Sequence, residues 1–369
     1  MSNLEKIGKF EVYALFITIV STNIIINIPT IILDLTSTGA VLNTLYLTII
    51  SLLFVLLVCK FFKPFVNSDI LDISEFLGGK FIKVIMGILY LILFLTFSAF
   101  CLRYFSYSLK MIYFDNISLV LLMLLFLIPA TIATKAGIKA ISGTAIVFLP
   151  LSILSLFVFS IASSENFVWE NLFPLLGYGT KEIFLINIPN IFAFNVVAYL
   201  YFLKPFIKSE KYYKKISIIA VVLCGLYLFI SIITLLMVFP FIMHTDETLS
   251  VYLVTRLISF GRFFQRVDAL FIFVWILIIT SFLSINLFIL SHIVKKLAKL
   301  KSHLQLVYPM ASLIFAVGLM FKDISIIKYA TRYIYRFYGF ILVFIISFLV
   351  LLFAYVKKIR KKEPKNEIK

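Results

Sequence analysis

Three apolar runs carry the side chains best equipped to hold a small molecule. Thr22, Asn23 and Asn27 fall in the first. Asn187, Asn190 and Asn195 fall in the second, with Phe194 among them, and Thr280, Ser281, Ser284 and Asn286 fall in the third. Asn23 and Asn27 are four apart, as are Thr280 and Ser284, so on a helix each pair shares a face. Amides and hydroxyls hydrogen-bond without carrying charge, which suits recognition of a ligand rather than proton transfer. Two of the runs also look interrupted: "STNIIINIPTII" (Ser21 to Ile32) and "FLINIPNIFAFN" (Phe184 to Asn195) each contain Asn-Ile-Pro. Proline inside a helix removes a backbone hydrogen bond and clashes with the preceding turn. Both helices are therefore expected to break, at positions already rich in amides.

Other chemistry finds little support. Ionisable groups at mid-membrane depth mark proton relays and ion paths, and essentially none is expected here. Glu11, Arg103 and Asp268 fall at the ends of apolar stretches, where they read as anchors. A carboxylate-based proton-coupled mechanism loses weight, whereas sodium held by backbone carbonyls needs no acid. There is no candidate acid–base pair for catalysis, so no enzyme is expected. Cys59, Cys101 and Cys224 are far apart, and His244, His292 and His303 read as loop residues facing water. No spacing suggests a metal site, and no cofactor is expected.

The elements that must position these residues are membrane helices. Of 369 residues, 63% are hydrophobic and 14% charged, against about a half and a quarter in ordinary globular chains. Ten stretches approach the roughly 20 residues needed to cross a bilayer core: 10–33, 41–62, 82–108, 117–133, 140–161, 182–203, 216–241, 268–291, 304–321 and 337–356. The expectation is an all-α integral membrane protein of ten spans in one domain. The first stretch is longer than a signal-peptide core and lacks a cleavage site, so it reads as a retained helix.

The net charge of +17 does not read as a nucleic-acid footprint. With the N-terminus in the cytoplasm, the inside segments hold 24 of the 34 Lys and Arg. That is the positive-inside bias, and an even number of spans leaves both termini cytoplasmic. The tail "KKIRKK" (Lys357 to Lys362) suits anionic lipid.

Ten spans with two broken members suggest a 5+5 inverted repeat of the LeuT-like kind. There, discontinuous helices meet near the midplane and form the substrate site from unwound backbone. The repeats would cover about 10–161 and 182–356, with a basic tail at 357–369, so that spans 1 and 6 correspond. The two Asn-Ile-Pro copies are not themselves symmetry mates. Span 1 runs outward and span 6 inward, which puts both motifs in the outer half, whereas inversion would put one in each. Between spans 2 and 3, "NSDILDISEFLGGK" (Asn67 to Lys80) has cap-like Asp and Ser and reads as a helix on the inner surface. The outer link 242–267 is expected to hold another surface helix. Trp169 and Tyr178 suit an interfacial belt.

Taken singly, each amide or hydroxyl is accounted for by bonding a neighbouring helix or repairing backbone freed by proline. Taken together, their convergence on spans 1, 6 and 8 points to a small-ligand pocket.

At this point the chain resembles the spore-germination permease family, the B subunits of nutrient germinant receptors, within the amino acid–polyamine–cation transporter superfamily. The resemblance runs through "DISEFLGGKFIKVIMGILYLILFL" (Asp72 to Leu95), "LRYF" (Leu102 to Phe105), "ENLFPLLGYGTKEIF" (Glu170 to Phe184) and "GRFFQRVDALFIFVWILIITSFLSINLF" (Gly261 to Phe288), with Arg266, Asp268 and Trp275 in the family's pattern. It implies ten helices and a receptor subunit in the inner spore membrane. Such a subunit binds a small nutrient such as an amino acid and passes the signal to a membrane-embedded A subunit and a lipoprotein C subunit. The ligand's carboxylate would meet free amide groups at a helix break. Spans 3, 6 and 8 would wall its side chain, with Phe97, Phe194 and Thr280 among the wall residues. Relatives usually have glycine ahead of the span 1 proline, and this chain has none between Gly8 and Gly39. Asn tolerates left-handed backbone best after glycine, so Asn23 and Asn187 are the expected substitutes. The alternatives are a transporter of the same superfamily and a scaffold subunit that binds no ligand. The candidate ligand-binding set is Thr22, Asn23, Asn27, Phe97, Asn190, Phe194, Asn195, Thr280 and Ser284.

Overall fold

The computed structural model describes residues 5–208, 210–240, 250–258, 267–321 and 323–360. Its helices are α1 (Lys9–Ile25), α2 (Ile28–Thr36), α3 (Ala40–Phe62), α4 (Ile70–Tyr113), α5 (Leu119–Lys135) and α6 (Ile138–Ala162). They continue with α7 (Val196–Leu203), α8 (Glu210–Val238), α9 (Ser250–Leu257), α10 (Asp268–Ala298), α11 (Val307–Met320) and α12 (Ile324–Arg360). Among the described residues, β-structure is confined to one isolated bridge, Ile7 with Ile207.

Among the described residues, each of the ten apolar stretches falls mainly in helical structure. Six helical stretches among the described residues are long and apolar enough to cross a membrane by length and composition, and shorter apolar helices accompany them. The expected surface helix is the first part of α4, continuous with the third apolar stretch. Non-helical backbone at Gly78 and Gly79 kinks the join, and Gly79 has φ +69°, which glycine adopts without strain. Its Ile70, Leu71 and Ile73 are buried, so this segment packs on the protein. Asp69 caps it as expected, its Oδ1 accepting from the amides of Leu71 and Asp72. Most of the outer link lies outside the described residues, as do Arg266, His244 and the tail beyond Arg360. The part that is described, α9, is largely buried and packs on α8 and α10.

The bundle has a buried centre and an apolar rim. α1 packs against α6, α8 and α10, and nearly all of it is buried. α3 lies at the rim, with Leu45, Ile49, Leu53 and Leu57 facing outward. Its inward face carries Asn43, Leu47, Ser51 and Val55, one residue per turn. A helix apolar all round has no amphipathic stripe to mark which face meets lipid, and here the small and polar residues face the protein interior.

Candidate functional site

Both proline motifs interrupt their helices, in different ways. Pro29 sits in the first turn of α2, where its missing N–H is not needed. The reversal falls just ahead of it, at Asn27, with φ 66° and ψ 28°. Asn23 was the expected left-handed substitute, but it stays within α1. The break has to fall within the turn that Pro29 cannot complete, and Asn23 lies six residues upstream. At the second motif a π-helical turn (Glu182–Ile186) passes into a 3-10 helix (Ile188–Phe194) and then α7. Asn187, with φ −99° and ψ 22°, is not left-handed.

The amides of the two broken helices bond one another. Asn23 Nδ2 donates to the Ala193 carbonyl at 2.9 Å, and Asn195 Nδ2 donates to Asn23 Oδ1 at 3.0 Å. Asn190 Nδ2 donates to Asn43 Oδ1 at 3.1 Å on α3. Thr22, Thr280 and Ser284 turn their hydroxyls back to carbonyls of their own helices, those of Thr18, Ile276 and Thr280. The Ser284 carbonyl accepts from Thr134 of α5 at 3.0 Å. These bonds satisfy groups that would be costly to leave unpaired in an apolar interior.

A buried cation joins this network, against the expectation that the interior holds essentially none. Arg336 is 6% exposed, and its Nη1 donates to Asn190 Oδ1 at 2.7 Å and Asn187 Oδ1 at 3.0 Å. The tenth apolar stretch begins at 337 because an arginine ends any hydropathy window. In the structure α12 begins at Ile324 and carries Arg336 into the bundle through two π-helical stretches, Ala330–Tyr335 and Phe340–Ile346. The signal available in the sequence was Arg332 and Arg336 four apart among aromatic residues.

A cavity of about 200 Å³ lies beside the first break, between α2, α4 and the start of α12. Asn27, Thr30, Asp34, Phe97, Tyr104 and Arg332 are on its wall. Thr30 Oγ1 donates to Asn27 Oδ1 at 2.9 Å, and Arg332 Nη1 meets Asp34 Oδ2 at 3.2 Å. Phe97 stacks on Tyr335 at 5.1 Å between centroids and 12° between planes. Of the candidate residues, the structure brings Asn27 and Phe97 to this wall. Thr22, Asn23, Asn190, Phe194, Asn195, Thr280 and Ser284 lie outside it, although Asn195 shares a void of about 10 Å³ with Phe97. Phe194 is packed in the core. The wall residues Asp34 and Arg332 were not singled out from the sequence, because each reads as an ordinary helix-end charge.

A second charged group sits at the other end of the bundle. Lys296 Nζ lies 2.6 Å from Asp69 Oδ2 and 2.5 Å from Asp72 Oδ2, and His292 Nε2 lies 2.9 Å from Asp69 Oδ2. Burial by itself raises the Asp69 carboxyl, but the Lys296 ammonium and His292 outweigh it and hold that carboxyl below its ordinary range. His292 was expected in a water-facing loop; it is buried within α10, which continues to Ala298. His303 is half-buried, its ring 5.1 Å from Phe288. Lys204, expected among the inside-loop cations, is also buried, donating to the Phe62 carbonyl at 2.7 Å and to that of Phe65. Asp268 accepts from Tyr113 at 2.6 Å. Among the described residues, no three His, Cys, Asp or Glu are placed to hold a metal ion.

Six helical stretches long and apolar enough to cross a membrane, with breaks at two proline motifs, describe an integral membrane protein. The family model described as spore germination protein matches residues 7–327, and the chain belongs to that family. Comparison with curated proteins returns no match.

Proposed function

We propose that this chain is the membrane subunit of a spore nutrient-germinant receptor. It binds a small nutrient, an amino acid being the expected class, and signals germination. The observation that carries this reading is the cavity at the Asn27 break, which places a carboxylate and a guanidinium 3.2 Å apart in an aromatic-lined pocket. Asp34 suits an ammonium group and Arg332 a carboxylate, with Phe97 beside them. In this reading the bundle has ten spans in a 5+5 inverted repeat, about 10–161 and 182–356, and α1–α2 and Glu182–Leu203 are the broken members. Both termini are cytoplasmic in the inner spore membrane, and the partners are A-type and lipoprotein C-type subunits. A ligand shifts a conformational equilibrium only by its differential affinity for the two states. The Asn23–Asn195 bond makes the broken helices respond together, and Asn190–Asn43 ties the second of them to α3, so closure over ligand beside α2 moves both.

The test fills the cavity from its wall with Thr30→Phe. Spores carrying the variant should keep the subunit in their membrane and lose the dose-dependent germination response to amino acids. An unchanged dose–response curve would refute the reading. Uptake of labelled amino acid into proteoliposomes separates the rival: saturable accumulation would favour the transporter.

A further inference from the structure

The charges around the cavity do not balance. Arg332 has one carboxylate partner, Asp34, and its Nε is buried without a hydrogen-bond acceptor. Arg336, one turn further along α12, gives its Nη1 to two neutral amide oxygens, and its Nε is also buried without an acceptor. Glu182 bonds Asn187, with Oε2 accepting from Nδ2 at 3.2 Å. Thus the described wall of the cavity carries two cations, Lys328 and Arg332, against one carboxylate, Asp34, with Arg336 one turn behind. Removing a charge from water costs several kcal/mol unless a counter-charge accompanies it. The cavity, at about 200 Å³, exceeds the roughly 150 Å³ that admits benzene.

Building on the cavity reading above, we infer that the ligand is a small carboxylate carrying net negative charge. One carboxylate group seats on Arg332, whose fork of donors takes it bidentately. Arg336 stands behind as fixed positive charge in a low-dielectric interior, where such a charge acts strongly. An acidic amino acid satisfies all three groups, with its ammonium on Asp34 and its two carboxylates toward the arginines. A zwitterion of net charge zero leaves the second guanidinium without an anion.

The experiment uses the full chain in phosphatidylcholine nanodiscs, so that no anionic headgroup competes, and measures binding by calorimetry. L-Glutamate and L-glutamine are the paired probes, matched in shape and differing by one charge. Glutamate is expected to bind at least about tenfold more tightly, each tenfold being about 1.4 kcal/mol. Arg336→Gln should abolish that preference while glutamine binding persists. The wild-type comparison decides the matter even where the variant fails to fold. Glutamine binding as tightly as glutamate, or neutral amino acids binding where glutamate does not, overturns the anion inference and leaves the cavity reading standing. Absence of binding by every standard amino acid overturns both.

Discussion

Asn27 is where the first helix reverses, and its left-handed backbone can be tested apart from its side chain. Replacing it with Ala or Gly removes the same amide, so everything that side chain bonds is lost in both variants, including the acceptor at 2.9 Å for Thr30. That loss costs about 1 kcal/mol and cancels in the comparison. What remains is the backbone at φ 66° and ψ 28°. Glycine adopts it freely, whereas a side chain unable to bond locally costs roughly 1–2 kcal/mol there. Asn27→Ala should therefore be less stable than Asn27→Gly by about 1–2 kcal/mol. The offset is reduced by up to 1 kcal/mol through the greater unfolded-state freedom of glycine. The assay is equilibrium unfolding of both variants in the same detergent. Because the break borders the cavity, amino-acid binding should also survive better in Asn27→Gly. Equal stabilities, or a more stable Asn27→Ala, would refute the claim that a left-handed residue sets the break.

The charged cluster under α4 makes a second prediction. Asp69→Asn keeps a capping oxygen but removes the charge facing Lys296 and His292, and breaking a buried pair costs about 3–5 kcal/mol. Lys296 retains Asp72, so the low end is expected, read as a lowered unfolding midpoint. The Asp69 carboxyl is held below its ordinary value in the folded state. Its contribution is therefore complete above the unfolded pKa of about 3.9 and is lost as pH falls through the lower folded value. The wild type should accordingly lose more stability than Asp69→Asn on going from about pH 5 to pH 3, and parallel pH profiles would contradict this. A third prediction concerns the contact of α3 with α8. A Cβ on Gly225 would lie 2.5 Å from both Thr48 Oγ1 and Cγ2, so Gly225→Ala should destabilise by about 1–3 kcal/mol. Adding Thr48→Ala removes both atoms and should restore part of the loss, and simple additivity in the double-mutant cycle would deny the clash.

Much of the plan was legible one element at a time. Each apolar stretch marked a helical one, the two prolines located both interruptions, and Asp69 announced the start of α4. Each of these rests on local chemistry: a chain with few charges, a missing N–H, and a carboxylate beside free amides. The site was legible only in part. Asn27 and Phe97 reach the cavity wall, but nothing in the spacing separated Asn27 from Asn23, four residues away on the same helical face. Asn23 proved to be committed to Asn195 across the bundle. Arg336 falls just outside the tenth apolar stretch and His292 reads as a loop residue, because hydropathy treats any ionisable group as leaving the membrane.

By itself, then, the sequence determined that this is an all-helical membrane protein with two helices broken at proline, rich in amides near the breaks. Only the tertiary structure decided that those amides bond each other, that Asp34 and Arg332 face one cavity, and that Arg336 lies buried behind them. The physical reason is that a helix apolar on every side carries no record of which face meets lipid. Whether a polar group is buried and paired depends on what the neighbouring helices bring to it, and those neighbours lie up to some three hundred residues away, as Arg332 does from Asp34.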